Sequence, residues 1–376
     1  MSRHAQEFLE KIQGLALPGL VRIMNVCGGH ERSISMAGLR TLLPETIRLI
    51  PGPGCPVCIC PEEDIHQAIQ WALREPVTLV SFGDMLRVPV NVPRGQVRSL
   101  DEAKAAGADV RAVASPLDAT RIARERPERP VIFHAVGFET TLAPIAAMIA
   151  QGLPDNLYLL MSGRLTWPAV AMLLESADAG LDALIAPGHV STVMGPEEWS
   201  FVATRHGIPT AIAGFTPDSL LEATYSVLRQ YLDGQPALDN CYAVVVKPGG
   251  NPLARRFLGE AFDIVDANWR GIGSIPRSGY ALKACHAAHD ARLHFPDAHD
   301  AGRRRIGEMP AGCDCARVVL GKISPPECRI YGSPCTPRSP VGPCMVSDEG
   351  ACHIWWAAGI RERVATSHGG KEPAVA

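Results

Sequence analysis

Two similar parallel-sheet α/β domains facing a cleft, followed by a Cys-rich C-terminal domain, are the architecture this sequence predicts. Three observations lead there. Short apolar runs alternate with amphipathic stretches through the first two-thirds of the chain, and one strand–loop–helix pattern occurs twice. Ten of the twelve cysteines also fall into two groups, at 27–60 and 313–352.

The N-terminal residues MSRHAQEFLEKIQGL read as a short amphipathic helix. Candidate strands follow at 21–26, 46–50, 78–82, 131–136, 157–161, 183–186, 210–213 and 243–246, with helical stretches at 63–74, 117–126, 167–177 and 197–206. Strand–helix alternation of this kind gives parallel sheets covered by helices. The repeat compares Ile47-Arg-Leu-Ile-Pro-Gly-Pro-Gly-Cys55 with Leu181-Asp-Ala-Leu-Ile-Ala-Pro-Gly-His189. Each is followed by Pro-Glu-Glu, a helix and a strand, the strands leading into Gly83-Asp84 and Gly214-Phe215. The expected boundaries are 1–125, carrying the Cys-Gly-Gly-His and Cys-Pro-Val-Cys motifs, 126–245 as its repeat-related partner, and 246–376 as a connecting segment and Cys-rich domain. The last dozen residues read as a frayed tail.

Composition excludes several classes. Hydrophobic residues make up 47% and charged residues 20%, a globular balance, and a net charge of −3 leaves no basic footprint for nucleic acid. No apolar run reaches the roughly 18 residues of a membrane span; the best, 131–153, is interrupted by His134 and Glu139. Acidic residues stand where a signal peptide would be apolar, so a cytoplasmic location is expected.

In a reducing compartment, clustered cysteines point to metal binding or redox chemistry. The C-terminal group is Cys313, Cys315, Cys328, Cys335, Cys344 and Cys352, in a stretch dense in Gly and Pro. The last four, at spacings of x6, x8 and x7, suit a [4Fe–4S] cluster, which takes four thiolates. Zinc is the alternative, although its short paired spacers are absent among 328–352. Disulfides or plain packing remain open as well. Spacing does not decide which four of the six cysteines are ligands. A segment with so little apolar material is expected to need the metal centre to fix it. Cys241 and Cys285 stand alone and read as buried packing residues.

In the N-terminal group, Gly52-Pro-Gly-Cys55-Pro-Val-Cys58-Ile-Cys60-Pro61 holds a C-x2-C just before a helix. That setting suits a reversible disulfide, while Glu62, Glu63 and Asp64 oppose thiolate formation. A structural turn and half of a zinc site are the other readings. Cys27-Gly-Gly-His30 ends a strand, where ligands bind in open α/β sheets. Its glycines permit close backbone approach. His189 and His134 sit at other strand ends, each equally readable as structural. Glu139, in Gly137-Phe-Glu-Thr-Thr141, reads as a cleft carboxylate or a cap residue, with threonines suited to capping. No Walker or dinucleotide fingerprint is present.

Taken together, Cys27-Gly-Gly-His30, Gly52-Pro-Gly-Cys55-Pro-Val-Cys58, Gly137-Phe-Glu-Thr-Thr141, Pro187-Gly-His189 and Trp269-Arg-Gly-Ile-Gly273 resemble the HypD family of [NiFe]-hydrogenase maturation proteins. The ending Cys335-Thr-Pro … Gly342-Pro-Cys344-Met-Val-Ser-Asp-Glu-Gly-Ala-Cys352 resembles it too, and the similarity spans about 15–357. The resemblance implies two α/β domains plus a domain bearing an iron–sulfur, [4Fe–4S], cluster. It also implies a scaffold, shared with the small chaperone HypC, on which Fe(CN)2CO is assembled transiently for the hydrogenase large subunit. Cyanide would come from HypE with HypF. Cys27 would hold the iron cargo with His30 beside it, and Cys55 with Cys58 would be a dithiol exchanging electrons with a cluster on Cys328, Cys335, Cys344 and Cys352. Cys60 is an additional cysteine beside that dithiol. A stand-alone iron–sulfur disulfide reductase is the competing reading, and a zinc-stabilised binding protein a third.

Overall fold

The computed structural model describes residues 1–176, 179–295 and 309–361. Its strands are β1 Val21–Asn25, β2 Ile47–Pro51, β3 Thr78–Phe82, β4 Val110–Val113, β5 Val131–Gly137, β6 Leu157–Gly163, β7 Ala183–Pro187, β8 Thr210–Ala213, β9 Leu238–Asn240, β10 Phe262–Trp269 and β11 Gly273–Leu282. Seven of the eight expected strands are therefore present. The exception is 243–246, which forms a turn with Val244 solvent-exposed. The strand that pairs with β8 at the edge of the sheet is β9. The N-terminal helix runs Arg3–Gln13, capped by Ser2. The expected helices appear as Glu62–Arg74, Pro116–Glu125, Thr166–Glu175 and, after a 3-10 turn at Pro196–Trp199, Ser200–His206. Residue 177 and the expected frayed tail lie outside the described residues.

The strands form two parallel sheets, ordered β2-β1-β7-β8-β9 and β4-β3-β5-β6, and a separate antiparallel hairpin of β10 and β11. Every residue of β5 is buried, as expected of a strand covered on both faces. Counted along the chain within its own sheet, β1-β2-β7-β8 is ordered 2-1-3-4, and so is β3-β4-β5-β6. The two sheets thus share one topology.

This arrangement differs from the expected boundaries. The first sheet is discontinuous in sequence: β1 pairs with β2 on one side and with β7 on the other. The second sheet lies wholly between them in sequence, and a boundary at 125/126 cuts β3 and β4 from the β5 and β6 with which they form one sheet. The repeated sequences belong to β2 and β7, the two neighbours of β1, so they do not mark equivalent strands of two sheets. Their likeness is local. Both strands end in Pro and turn into a helix, which calls for the same Pro-Gly chemistry wherever it occurs.

After β9 the helix Pro252–Ala261 packs on the helix Glu139–Ala150, and the hairpin docks beside β6. The Cys-rich segment consists of short turns with helices at Cys315–Val319 and Ala351–Ala357. Among the described residues it has no separate core. Its six cysteines belong to one buried cluster with Ile65, Ile69, Trp71 and Leu79. No helix among the described residues is long and apolar enough to cross a membrane.

Candidate functional site

The site begins where β1 stops. Cys27 is extended at the N-cap of the helix Gly28–Met36. Two glycine motifs meet at this point. A Cβ on Gly54 would fall on the backbone of Cys27, 2.5 Å from its Cα, and Gly28 N–H donates to Gly54 O at 3.2 Å. On its other side, a Cβ on Gly28 would lie 2.5 Å from Glu349 Cβ. Only glycines let the ends of β1 and β2 and the C-terminal segment touch here.

Cys27 is half-buried, and burial pushes its thiol up to about 12, reinforced by the Glu349 charge. His30 is buried, with Nε2 on Ala213 O at 3.0 Å and Nδ1 without a partner among the described residues. Burial lowers its pKa to about 4, so the ring is neutral with a free lone pair. Phe215 contacts both His30, at 4.8 Å between ring centroids, and His189, at 3.7 Å.

Cys55 and Cys58 are joined as a disulfide on their own short helix, Pro56–Ile59, where Cys55 Sγ accepts from Cys58 N at 3.1 Å. The acidic residues expected to oppose thiolate formation are engaged elsewhere. Glu62 pairs with Arg270 at 3.4 Å and Asp64 with Arg292 at 2.6 Å, while Glu63 accepts from Asn268 at 3.0 Å. Cys60 is buried facing His134, 3.9 Å from Nε2. His134 also reaches Ser162 Oγ at 3.1 Å, so this histidine belongs to a buried network with Asp64.

All six C-terminal cysteines are buried. Cys313 Sγ and Cys315 Sγ are 3.2 Å apart. Hydrogen bonds from Cys315 and Cys352 pull the Cys344 thiol down to about 5. Backbone N–H groups point at sulfur: Asp314 N at Cys328 (3.4 Å), Val341 N at Cys335 (3.4 Å) and Cys352 N at Cys344 (3.3 Å). Buried soft donors with amide N–H groups directed at them fit an iron–sulfur cluster. Among the described residues no three His, Cys, Asp or Glu side chains form a set that could hold one metal ion. A cubane, by contrast, spreads its four thiolates over its corners.

These parts converge. Cys27, Cys55, Cys58 and Cys344 line one narrow pocket with Asn25, Glu31 and Glu349. A second cavity, between the helices Pro116–Glu125 and Glu139–Ala150, shares no lining residue with it. Several residues that hold the convergence are not among the site residues the sequence predicts. Glu31 accepts from Arg40 at 2.8 Å, Asn25 Nδ2 at 3.0 Å and Trp355 Nε1 at 2.5 Å, tying the helix after Cys27 to the helix that bears Cys352. Asp84, after β3, accepts from Ser347 Oγ at 2.8 Å. Glu349 is pushed up to about 6 by burial and by the charges of Asp84 and Asp348. Their sequence signal is position: Ser347 and Glu349 lie inside the Cys344–Cys352 motif, and Asn25 and Glu31 flank Cys27-Gly-Gly-His30.

Three expectations change. Glu139 is not among the pocket-lining residues: it is buried, accepting from Thr166 N and Oγ1, both at 2.7 Å. The helix it opens is capped by Phe138 without a side-chain bond, and Thr141 instead fills the space beside Gly137. Cys285 is exposed and Cys241 half-buried, so neither is the buried packing residue expected.

Residues 3–359 match the family model described as HypD, hydrogenase formation hypA family. The hydrogenase maturation factor HypD of Rhodobacter capsulatus is 41% identical over 343 residues, which cover 90% of this chain and 89% of the relative. That of Azotobacter vinelandii is 40% identical over 354 residues, covering 92% and 90%. That of Escherichia coli K12 is 39% identical over 340 residues, covering 89% and 88%.

Proposed function

The chain belongs to the HypD family, and from that premise we propose that it is a hydrogenase maturation factor whose pocket at the end of β1 assembles an iron–cyanide–carbonyl unit. One observation carries the reading: a thiol at Cys27, a disulfide at Cys55–Cys58 and Cys344 of the Cys-rich segment line the same pocket.

Cys27 is the ligand for the iron cargo. Its thiol, held protonated by burial, gives up that proton when the cation arrives, and Glu349 beside it is a carboxylate able to receive it. His30, three residues on, is buried against Ala213 and Phe215 with its Nδ1 lone pair free, and it is not among the residues lining the pocket. Cys328, Cys335, Cys344 and Cys352 hold a [4Fe–4S] cluster, which supplies single electrons when bound. Reduction of Cys55–Cys58 takes two electrons and two protons, and the thiols it yields face the pocket. Cyanide arrives from HypE, charged by HypF, and HypC shares the scaffold before the unit passes toward the hydrogenase large subunit.

The test is Cys55→Ala. Cluster absorbance should remain while iron cyanation, read by infrared bands of bound cyanide and carbonyl on the purified complex, is lost. An unaffected yield overturns the role of the dithiol. Bands absent from the wild-type complex would favour the plain disulfide reductase.

A further inference from the structure

The turn between β10 and β11 carries a buried cation that has no part in the chemistry above. Arg270, 4% exposed, sits at the tip of that hairpin, where it meets both the disulfide helix and the Cys-rich segment. Its backbone N–H donates at 3.0 Å to the carbonyl of Ile59, the last residue of the helix Pro56–Ile59. On the other side, a Cβ on Gly271 would lie 3.0 Å from the Cβ of Ala316, the residue after Cys315. The guanidinium is only partly satisfied. Nη2 donates to Pro89 O at 2.8 Å and pairs with the fully buried Glu62 at 3.4 Å. Nε and Nη1 are buried with no acceptor among the described residues. Buried donors left unmade are costly, and those of a charged group most of all. The charge also reaches the cysteines. At Cys313, contact with Cys315 and burial raise the thiol pKa, and Arg270 opposes them. Cys313 Sγ lies 3.2 Å from Cys315 Sγ, and Cys315 bonds in turn to Cys344 and Cys352. One pair of sulfurs therefore stands between Arg270 and two of the ligands proposed above.

We infer that Arg270 sets the reduction potential of the iron–sulfur centre, its charge and its two unused N–H donors favouring the reduced form. This rests on the reading that Cys328, Cys335, Cys344 and Cys352 hold the cluster. A cubane on four thiolates is anionic, and one entering electron adds a negative charge without making or breaking a bond. A fixed cation in a low-dielectric setting stabilises the more negative form, and N–H donors near sulfur act in the same direction. Glu62 opposes it, so the buried pair acts on the potential from both sides. Removing Arg270 lowers the potential, and removing Glu62 raises it. A side chain that only filled space or braced the hairpin would give no such opposition of sign. The bond to Ile59 is made by the backbone, so it survives a change of side chain. Arg differs here from Lys, which supplies a point charge without the fork of donors.

The experiment is a spectroelectrochemical titration of the full chain, purified without oxygen, with dithionite as the source of single electrons. Bleaching of the thiolate-to-iron absorbance reports reduction, and iron and sulfide are measured on each sample. In Arg270→Gln the ratio of reduced to oxidised cluster at a fixed potential should fall about tenfold, a midpoint about 59 mV lower. Arg270→Lys should fall by less, and Glu62→Gln should rise by about threefold. An Arg270→Gln chain that keeps its iron and sulfide and titrates as the wild type does overturns the inference alone. A lowered midpoint in Glu62→Gln overturns it as well. If Arg270→Gln sheds its iron, Glu62→Gln decides: a raised midpoint upholds the role and an unmoved one ends it. Loss of iron from both variants also ends it, by making the ion pair a structural brace. A wild-type chain devoid of iron and sulfide overturns the cluster reading and the role of Arg270 with it.

Discussion

The two parallel sheets share a strand order yet put different chemistry at equivalent strand ends. After β1 comes Cys27, after its counterpart β3 come Gly83 and Asp84. The first ends in a half-buried thiol. The second ends in a carboxylate that holds Ser347 and so fastens the segment carrying Cys344 over that thiol. The same contrast recurs after the third strand of each sheet. β7 leads to His189, exposed and stacked on Phe215, whereas β5 leads to Glu139, buried and spent on Thr166. One sheet presents reactive groups and the other immobilises what covers them. Topology sets where a ligand can sit, and the residue at each strand end decides whether that place is used.

The sharpest way to break the comparison is to exchange the roles. Cys27→Ser should lower the infrared bands of iron-bound cyanide and carbonyl by at least about 100-fold while changing the unfolding free energy, read by urea titration, by no more than about 1 kcal/mol. Asp84→Asn, its counterpart, should leave the bands detectable, and their loss there would erase the distinction. Glycine packing gives a second, smaller contrast. Gly54→Ala drives a Cβ into the Cys27 backbone, which cannot move aside, and should cost about 1–3 kcal/mol. Gly163→Ala in the other sheet meets only the Leu142 side chain, at 2.9 Å, and should cost less. Equal midpoints in chemical denaturation would refute that ordering.

The smallest expected effect is a pH dependence where segments following β5 and β7 approach. Glu198 is pushed up to about 7 by burial and then by the charge of Glu139. A raised folded pKa stabilises the protein below the unfolded value of 4.5, and that stability is lost as pH rises toward 7. Glu198→Gln should therefore gain about 1 kcal/mol over the wild type at pH 8, after discount for partial exposure, and little at pH 4. A wild-type-to-variant difference that is the same at both pH values would remove Glu198 from the explanation.

Much of this was legible in the sequence, for physical reasons that can be named. β5 is apolar throughout because both faces are covered, and the glycine motifs beside Cys27 and Cys55 are visible because the chains there touch. β4 was missed, being four residues with two of them partly or fully solvated. So was the hairpin, since the middle of β10 is exposed and shows no buried face. The run 243–246 is β-branched but finds no edge to join, because β9 already fills it. At the site, local motifs announced Cys27, Cys55 and Cys58. The bonds that gather them, Trp355 to Glu31 across 324 residues and Ser347 to Asp84 across 263, leave no periodic trace.

The discontinuity of the first sheet has a consequence for synthesis. The ribosome delivers β3 through β6 as an unbroken block, so that sheet can close while the rest of the chain is still being made. Its companion must wait. Arg22 N–H reaches Asp182 only after 160 further residues have emerged, and Trp355 reaches Glu31 later still. Until then Cys27, Cys55 and Cys58 belong to an unfinished surface. The pocket therefore closes only after the segment around Trp355 has been made.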